Sequence, residues 1–176
     1  MGPLTAEIML KALNRLDELV PDPTVFIMGG GGAMILAHGF PLGTTDIDAV
    51  PKGTTEIGTI DVYVKQIASE QNLPADWLNP YFSTFAHTLP SDYGSRLHSV
   101  LKGKKIEVLA LGKEEMLIMK CYAARQKDVA HAKALMIGGA DLKLVESQIE
   151  NLKKKGIPLS DRALDFLDDV RDQVGK

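Results

Sequence analysis

Four consecutive glycines, Gly29-Gly30-Gly31-Gly32, stand directly after the apolar run Val25-Phe26-Ile27-Met28. Without a Cβ, glycine adopts positive φ freely and lets its backbone N–H groups lie close against another group. Such a run is a poor continuation of a strand, so it predicts a turn from a strand at 24–28 into a helix at 32–38. Unpaired amides at a helix start favour an anion, and a phosphate fits them well. The spacing is neither the dinucleotide fingerprint nor the P-loop, because no Lys-Ser or Lys-Thr pair comes after it. Taken alone, the glycines equally fit a plain strand-to-helix turn.

Two acids downstream narrow the choice. Asp46 and Asp48 sit within Thr45-Asp46-Ile47-Asp48-Ala49-Val50. In a strand, residues i and i+2 share a face, so the two carboxylates would stand side by side among apolar neighbours. Like charges in that arrangement repel, and Asp is a poor strand former. A cation removes the conflict. Oxygen ligands of this kind favour Mg²⁺ or Mn²⁺, and Mg²⁺ takes one or two protein carboxylates and completes its shell with water and substrate phosphate. The competing reading is a solvated turn at 44–48 with Asp46 as its cap. A glycine turn together with an acid pair supplies the parts needed to hold a nucleoside triphosphate (NTP) on a divalent metal, which points to nucleotidyl transfer.

Several separated motifs then carry a family likeness. Gly31-Gly32 with Asp46-x-Asp48 after it resembles the signature of the nucleotidyltransferase superfamily, in the group with a polymerase-β-like minimal fold. A closer likeness is to small bacterial nucleotidyltransferase-like proteins of the DUF6036 type, akin to the AbiEii toxins of toxin–antitoxin pairs. It rests on Gly31-Gly32, His38-Gly39, Thr44, Asp46-Ile47-Asp48, Asp76-Trp77-Leu78-Asn79, and the helical set Lys120, Ala124, Arg125, Lys127 and Asp128. Together these cover roughly residues 25 to 136.

The resemblance implies Asp46, Asp48 and Glu107 as metal ligands, Glu107 being the candidate third carboxylate on a neighbouring strand. It also implies nucleotide contacts from Gly31, Gly32, Thr44, Lys120 and Arg125. Lys120 and Asp128 join the three acids as catalytic candidates, with Asp128 orienting Lys120 or Arg125. The expected activity is Mg²⁺-dependent transfer of a nucleotide from an NTP to a tRNA or protein acceptor, candidate partners including a cognate antitoxin. Glu107 equally fits a solvent-facing residue paired with Lys105. Relatives often carry Arg four residues before the first Asp and an acid three residues after Lys-Asp, where this chain has Leu42 and His131. These two positions favour an alternative, an inactive nucleotidyltransferase-fold binding module that acts through a protein partner.

Composition is permissive. A chain of 176 residues, 45% hydrophobic and 24% charged, can bury one good core. No stretch is apolar enough for a membrane span, and residues 1–20 carry acids where a signal peptide would be basic and then apolar. With a lone Cys121, this agrees with a cytoplasmic protein. A formal net charge of −3 argues against a coat for non-specific nucleic-acid binding. The four dispersed His residues and single Cys give no zinc signature.

The expected fold class is α+β, a nucleotidyltransferase-like mixed sheet with helices packed on it, in a core over 1–112. A C-terminal helical region over 113–176 would pack on that core. Apolar spacing through Ile8, Leu10, Leu13, Leu16 and Leu19 predicts a helix over 5–19. Thr54-Thr55-Glu56 reads as the start of a helix running to about Gln71. Asp76 to Asn79 predicts a short helical turn anchored by a buried indole, with base stacking by Trp77 as the alternative. Residues 83–89, 96–101 and 104–110 predict three short strands joined by hairpins. Helices are expected over 114–124, from Lys127 to Leu135, over 141–155 and over 160–174.

Overall fold

The structure of the protein is a computed structural model, which describes residues 2–41, 43–53 and 57–175, with Ile57 described by its backbone only. Leu42 and the helix start expected at Thr54-Thr55-Glu56 lie outside the described residues. The fold is of the mixed α+β class, with a five-stranded sheet. The chain divides into two compact units, one running through Ser83 and including Leu97–Leu111, the other made of Thr84–Arg96 and the chain from Gly112 onward.

The first unit opens with α1 (Ala6–Leu19), whose N-cap Thr5 accepts the Ile8 amide on its hydroxyl. Its fully buried face is Met9, Ala12, Leu13 and Leu16, while Ile8 and Leu10 are half-buried at its margin. Next come β1 (Thr24–Met28), α2 (Gly30–Leu36), β2 (Ile47–Pro51), α3 (Asp61–Gln71), β3 (Leu78–Asn79), β4 (His98–Lys102) and β5 (Ile106–Ala110). A 3-10 turn at Ile57–Thr59 precedes α3. Asn72 ends α3 in the left-handed region, where the short amide side chain is tolerated better than most.

The strand order is β3-β2-β1-β5-β4. β1 runs antiparallel to β2 and parallel to β5, β2 is parallel to β3, and β4 is antiparallel to β5 with an irregularity between Ser99 and Leu101. Alternation places Phe26, Met28, Ile47, Ala49, Ile106, Val108 and Ala110 on one face, where all are buried. Asp48, Val50, Val25, Glu107 and Leu109 fall on the other face and are half-buried.

Two expectations change here. Trp77 is fully buried and donates its indole N–H to the Val64 carbonyl at 2.9 Å, so it anchors the core and offers no surface for a base. The segment it anchors is not a helical turn, however, because Leu78 and Asn79 extend to pair in register with Ile47 and Asp48. The strand expected at 83–89 is also absent. Pro80 introduces a 3-10 stretch, Tyr81–Thr88, held by i to i+3 bonds such as Ser83 N–H to Pro80 O and Thr88 Oγ1 to Phe85 O. A second short 3-10 turn at Tyr93–Arg96 replaces the expected hairpin.

Asp17 locks α1 to the β4–β5 turn. Its carboxylate accepts the backbone N–H groups of Lys104, Lys105 and Ile106 at 2.7–2.9 Å. These bonds, that of Ile106 foremost, hold the carboxyl below its ordinary value. Asp17→Ala would leave three donors to rearrange towards water, with an expected loss of about 1–3 kcal/mol in urea unfolding. The same stability for Asp17→Ala and the parent would show that the turn is held by other contacts.

The second unit contains α4 (Lys113–Ala123), α5 (Asp128–Ile137), α6 (Leu142–Lys154) and α7 (Ser160–Val174). α4 packs against α5, α6 and α7 and buries Met116 to Met119, Cys121 and Tyr122. Tyr122 and Ser160 share a hydrogen bond of 2.7 Å between their hydroxyls. Burial pushes the Cys121 thiol well above its ordinary value, which leaves it a packing residue rather than a nucleophile. No helix of the described residues is long and apolar enough to cross a membrane.

Candidate functional site

The glycine turn packs on the acid strand. Gly29 continues β1 by donating its N–H to the Asp48 carbonyl at 2.8 Å, and Gly30 then turns the chain at φ +62° into α2. A Cβ on Gly30 would collide with the Asp48 carboxylate. A Cβ on Gly31 would lie 2.8 Å from Thr44 Oγ1. Gly32 behaves differently: its Cβ would meet Met28 and Ile47 at ordinary contact distances of 3.5–3.7 Å. The close approach therefore belongs to Gly30 and Gly31, one residue earlier than the Gly31-Gly32 pair expected from the motif. α2 has only seven residues, so bare backbone, more than a helix end, defines this place.

Asp46 lies in a bend just before β2, and Asp48 lies within the strand. Burial nevertheless alternates from Asp46 to Val50, with Ile47 and Ala49 buried and Asp46, Asp48 and Val50 half-buried. The two acids thus fall on the sheet's more open side. Asp46 is oriented from two directions. Asn79 Nδ2 donates to Asp46 Oδ2 at 2.9 Å, and the Thr44 hydroxyl shares its proton between the Asp46 carbonyl at 3.0 Å and Oδ1 at 3.4 Å. Thr44 is itself fixed by a bridge in which the Leu4 N–H donates to its carbonyl.

Asn79 is the residue that spacing does not reveal. Its backbone pairs in register with Asp48, while its side chain reaches Asp46. It stands within the Asp-Trp-Leu-Asn motif, but only a parallel pairing of β3 with β2 brings it to the acids. His38 bonds the Leu111 carbonyl at 2.9 Å and stands edge-on to His98.

Glu107 does not join the acid pair. β1 and β5 pair Val25 with Glu107, whereas Asp48 bonds to Gly29. From Val25 to Gly29 is four residues, about 13 Å along a strand, before the sideways step across β1 is added. Glu107 shares the face but not the row. Leu111, whose side chain lies against Gly29, follows β5 at the corresponding end, and Lys102 faces Glu107 in register from β4. Among the described residues, no group of three or more His, Cys, Asp or Glu side chains is gathered to hold a metal. Two carboxylates, with Asp46 oriented by Asn79 and Thr44, still suit a single Mg²⁺ that draws its other ligands from water and phosphate. They do not provide for a second ion bridged by a third acid.

With this geometry in place, the comparison with known families is decisive. Residues 7–167 match the family described as nucleotidyltransferase of unknown function, DUF6036. The chain belongs to that family. No curated protein and no solved structure matches it.

The remaining candidates of this DUF6036 chain lie in the second unit and form a cluster of their own. Asp128, at the start of α5, is 1% exposed and accepts Lys120 Nζ at 2.8 Å and Arg125 Nε at 2.6 Å. Ala124, left-handed at φ 43°, ends α4 between these two cations. Burial would raise the Asp128 carboxyl, but the hydrogen bonds from Arg125 and Lys120 outweigh it and hold the group below its ordinary value. Lys120 is accordingly committed to an internal ion pair. Burial, and then the charge of Lys120, hold the His131 imidazole below its ordinary value, and its buried Nδ1 has no hydrogen-bond partner among the described residues.

Proposed function

We propose that this protein binds an NTP at the Gly30-Gly31 turn, with Asp46 and Asp48 taking one Mg²⁺, and transfers its nucleotidyl group to an acceptor hydroxyl with release of pyrophosphate. The observation that carries this reading is the packing of bare glycine backbone directly on the Asp48 carboxylate and on the Thr44 that orients Asp46. Glycine is needed there to bring amide groups and carboxylates within reach of the same phosphate. When bound, Mg²⁺ would neutralise phosphate charge and stabilise the leaving pyrophosphate. Asn79 and Thr44 hold Asp46 in one orientation before substrate arrives, which lowers the cost of assembling the site. With little covalent chemistry for side chains to perform, positioning and charge would supply most of the acceleration.

A tRNA or protein hydroxyl in the cytoplasm, with an antitoxin restraining the activity, completes the reading suggested by the AbiEii likeness. The inactive-module alternative is favoured by the placement of Glu107 away from the acids. Binding separates the two. Calorimetry with Mg-ATP should give saturable heat that falls about 10- to 100-fold in affinity in Asp48→Asn, on the scale of losses at metal-site ligands and their supports. Label transfer from α-labelled NTPs to total tRNA or protein should disappear in the same variant. Binding that ignores Asp48 would remove the proposed site, and binding without transfer would favour the module.

A further inference from the structure

The segment after Asn79 lays Phe82 against the glycine turn and carries, one residue earlier, the exposed Tyr81. Asn79 uses both ends of its amide: Nδ2 donates to Asp46 Oδ2 at 2.9 Å, and Oδ1 accepts the Tyr81 backbone N–H at 3.0 Å. Turning the amide over would set its oxygen against a carboxylate and its NH₂ against an N–H, so this orientation is the one its neighbours select. On the other side of Tyr81, the Phe82 ring lies against Gly29, 3.4 Å from where a Cβ would stand. Tyr81 is thus fastened between a residue holding Asp46 and a residue covering the first glycine. Yet Tyr81 itself is 64% exposed, while Phe82 beside it is buried at 7%.

A large aromatic side chain this exposed leaves apolar area in water that Phe82 beside it has removed. Base stacking is a use for such a ring that works for any nucleobase, because every base presents a π face. The Tyr81 backbone N–H is linked to Asp46 through the single Asn79 amide, a reach well within the span from the phosphates to the base of one nucleotide.

We propose that Tyr81 is the base-stacking residue of the NTP site, a binding residue that takes the nucleobase of a triphosphate seated on Asp46 and Asp48 without strong preference among bases. This rests on the nucleotide-binding reading of that site. It assigns to Tyr81 the role that Trp77, being buried, does not fill. It also gives Asn79 a second task, that of setting the distance between the ring and the acid.

The test compares Mg-ATP, Mg-CTP and Mg-tripolyphosphate, the last having phosphates but no base, by equilibrium binding to the parent, Tyr81→Ala, Tyr81→Phe and Asp48→Asn. Tyr81→Ala should weaken both nucleotides by about 5- to 150-fold, the range for loss of one base stack, and leave tripolyphosphate unchanged. Tyr81→Phe should stay near the parent. Asp48→Asn should weaken all three. In Tyr81→Trp, the introduced indole is exposed where the single native Trp is buried, so its fluorescence should be quenched by ATP and not by tripolyphosphate. Parent-like nucleotide affinity in Tyr81→Ala would overturn the stacking role and leave the phosphate site standing. An equal loss for tripolyphosphate would also overturn it, since Tyr81 would then be acting by supporting Asn79. A parent protein that binds none of the three would overturn both proposals.

Discussion

Asp128→Ala is expected to destabilise the protein by about 3–5 kcal/mol, the usual cost of removing one partner from a buried ion pair. The side chain is 1% exposed and Lys120 only 13%, so removing the carboxylate leaves an ammonium with little access to water. Arg125, at 52% exposed, can turn to solvent, and Arg125→Ala should cost much less. The double variant Lys120→Met with Asp128→Leu, which removes both charges, should recover much of the loss. Urea unfolding of the three variants measures this directly. Equal losses for Arg125→Ala and Asp128→Ala would show that burial of Lys120 is not what sets the cost.

The pH dependence of the same cluster has a definite sign. Asp128 is held below its ordinary 3.8, so its contribution is complete above that value and is lost as pH falls through the depressed one. His131 is held below its ordinary 6.5, so once pH drops under 6.5 the unfolded chain takes up a proton that the folded chain refuses. Stability therefore declines in two stages on acidification, and His131→Gln should flatten the first while leaving the second.

How much of this was legible in the residues depends on what kind of information they carry. β1 was readable because Val25 to Met28 is an uninterrupted apolar run between Pro23 and the glycines, and α7 because its buried positions recur at helical spacing from a clear start at Ser160. Alternation also told which face Glu107 occupies. It could not tell which row, because period two is unchanged by sliding β5 along β1, and only the pairing of Val25 with Glu107 fixes the distance from Asp48. The stretch from Tyr81 to Thr88 offered aromatic and β-branched residues that suit a strand, yet Pro80 and local i to i+3 bonds won. Asn79 was visible as part of a motif, but its meeting with Asp46 depends on a two-residue strand that composition does not announce.

The glycine run posed the same difficulty in its sharpest form, since four identical residues without side chains carry no pattern to show which of them turns the chain, and Gly30→Ala should settle it. At φ +62°, an alanine costs about 1–2 kcal/mol in backbone strain. Its methyl would also overlap the Asp48 carboxylate, and relieving such an overlap costs about 1–3 kcal/mol more. A total of about 2–5 kcal/mol is expected, together with loss of Mg-ATP binding, because either the turn or Asp48 must move. Gly31→Ala should be milder in stability, since it carries no strain in φ and must displace only Thr44, whose Oγ1 would lie at 2.8 Å and Cβ at 2.9 Å, but it should still weaken nucleotide binding by disturbing the hydroxyl that orients Asp46. Gly32→Ala meets only ordinary contacts inside a helix, where alanine is favoured over glycine, so it should be neutral or add up to about 1 kcal/mol. Thermal unfolding and calorimetry on the three variants give a ranking in which Gly30 is most sensitive and Gly32 least. The reverse ranking would place the functional turn two residues later and separate the glycine backbone from the acids it is proposed to serve.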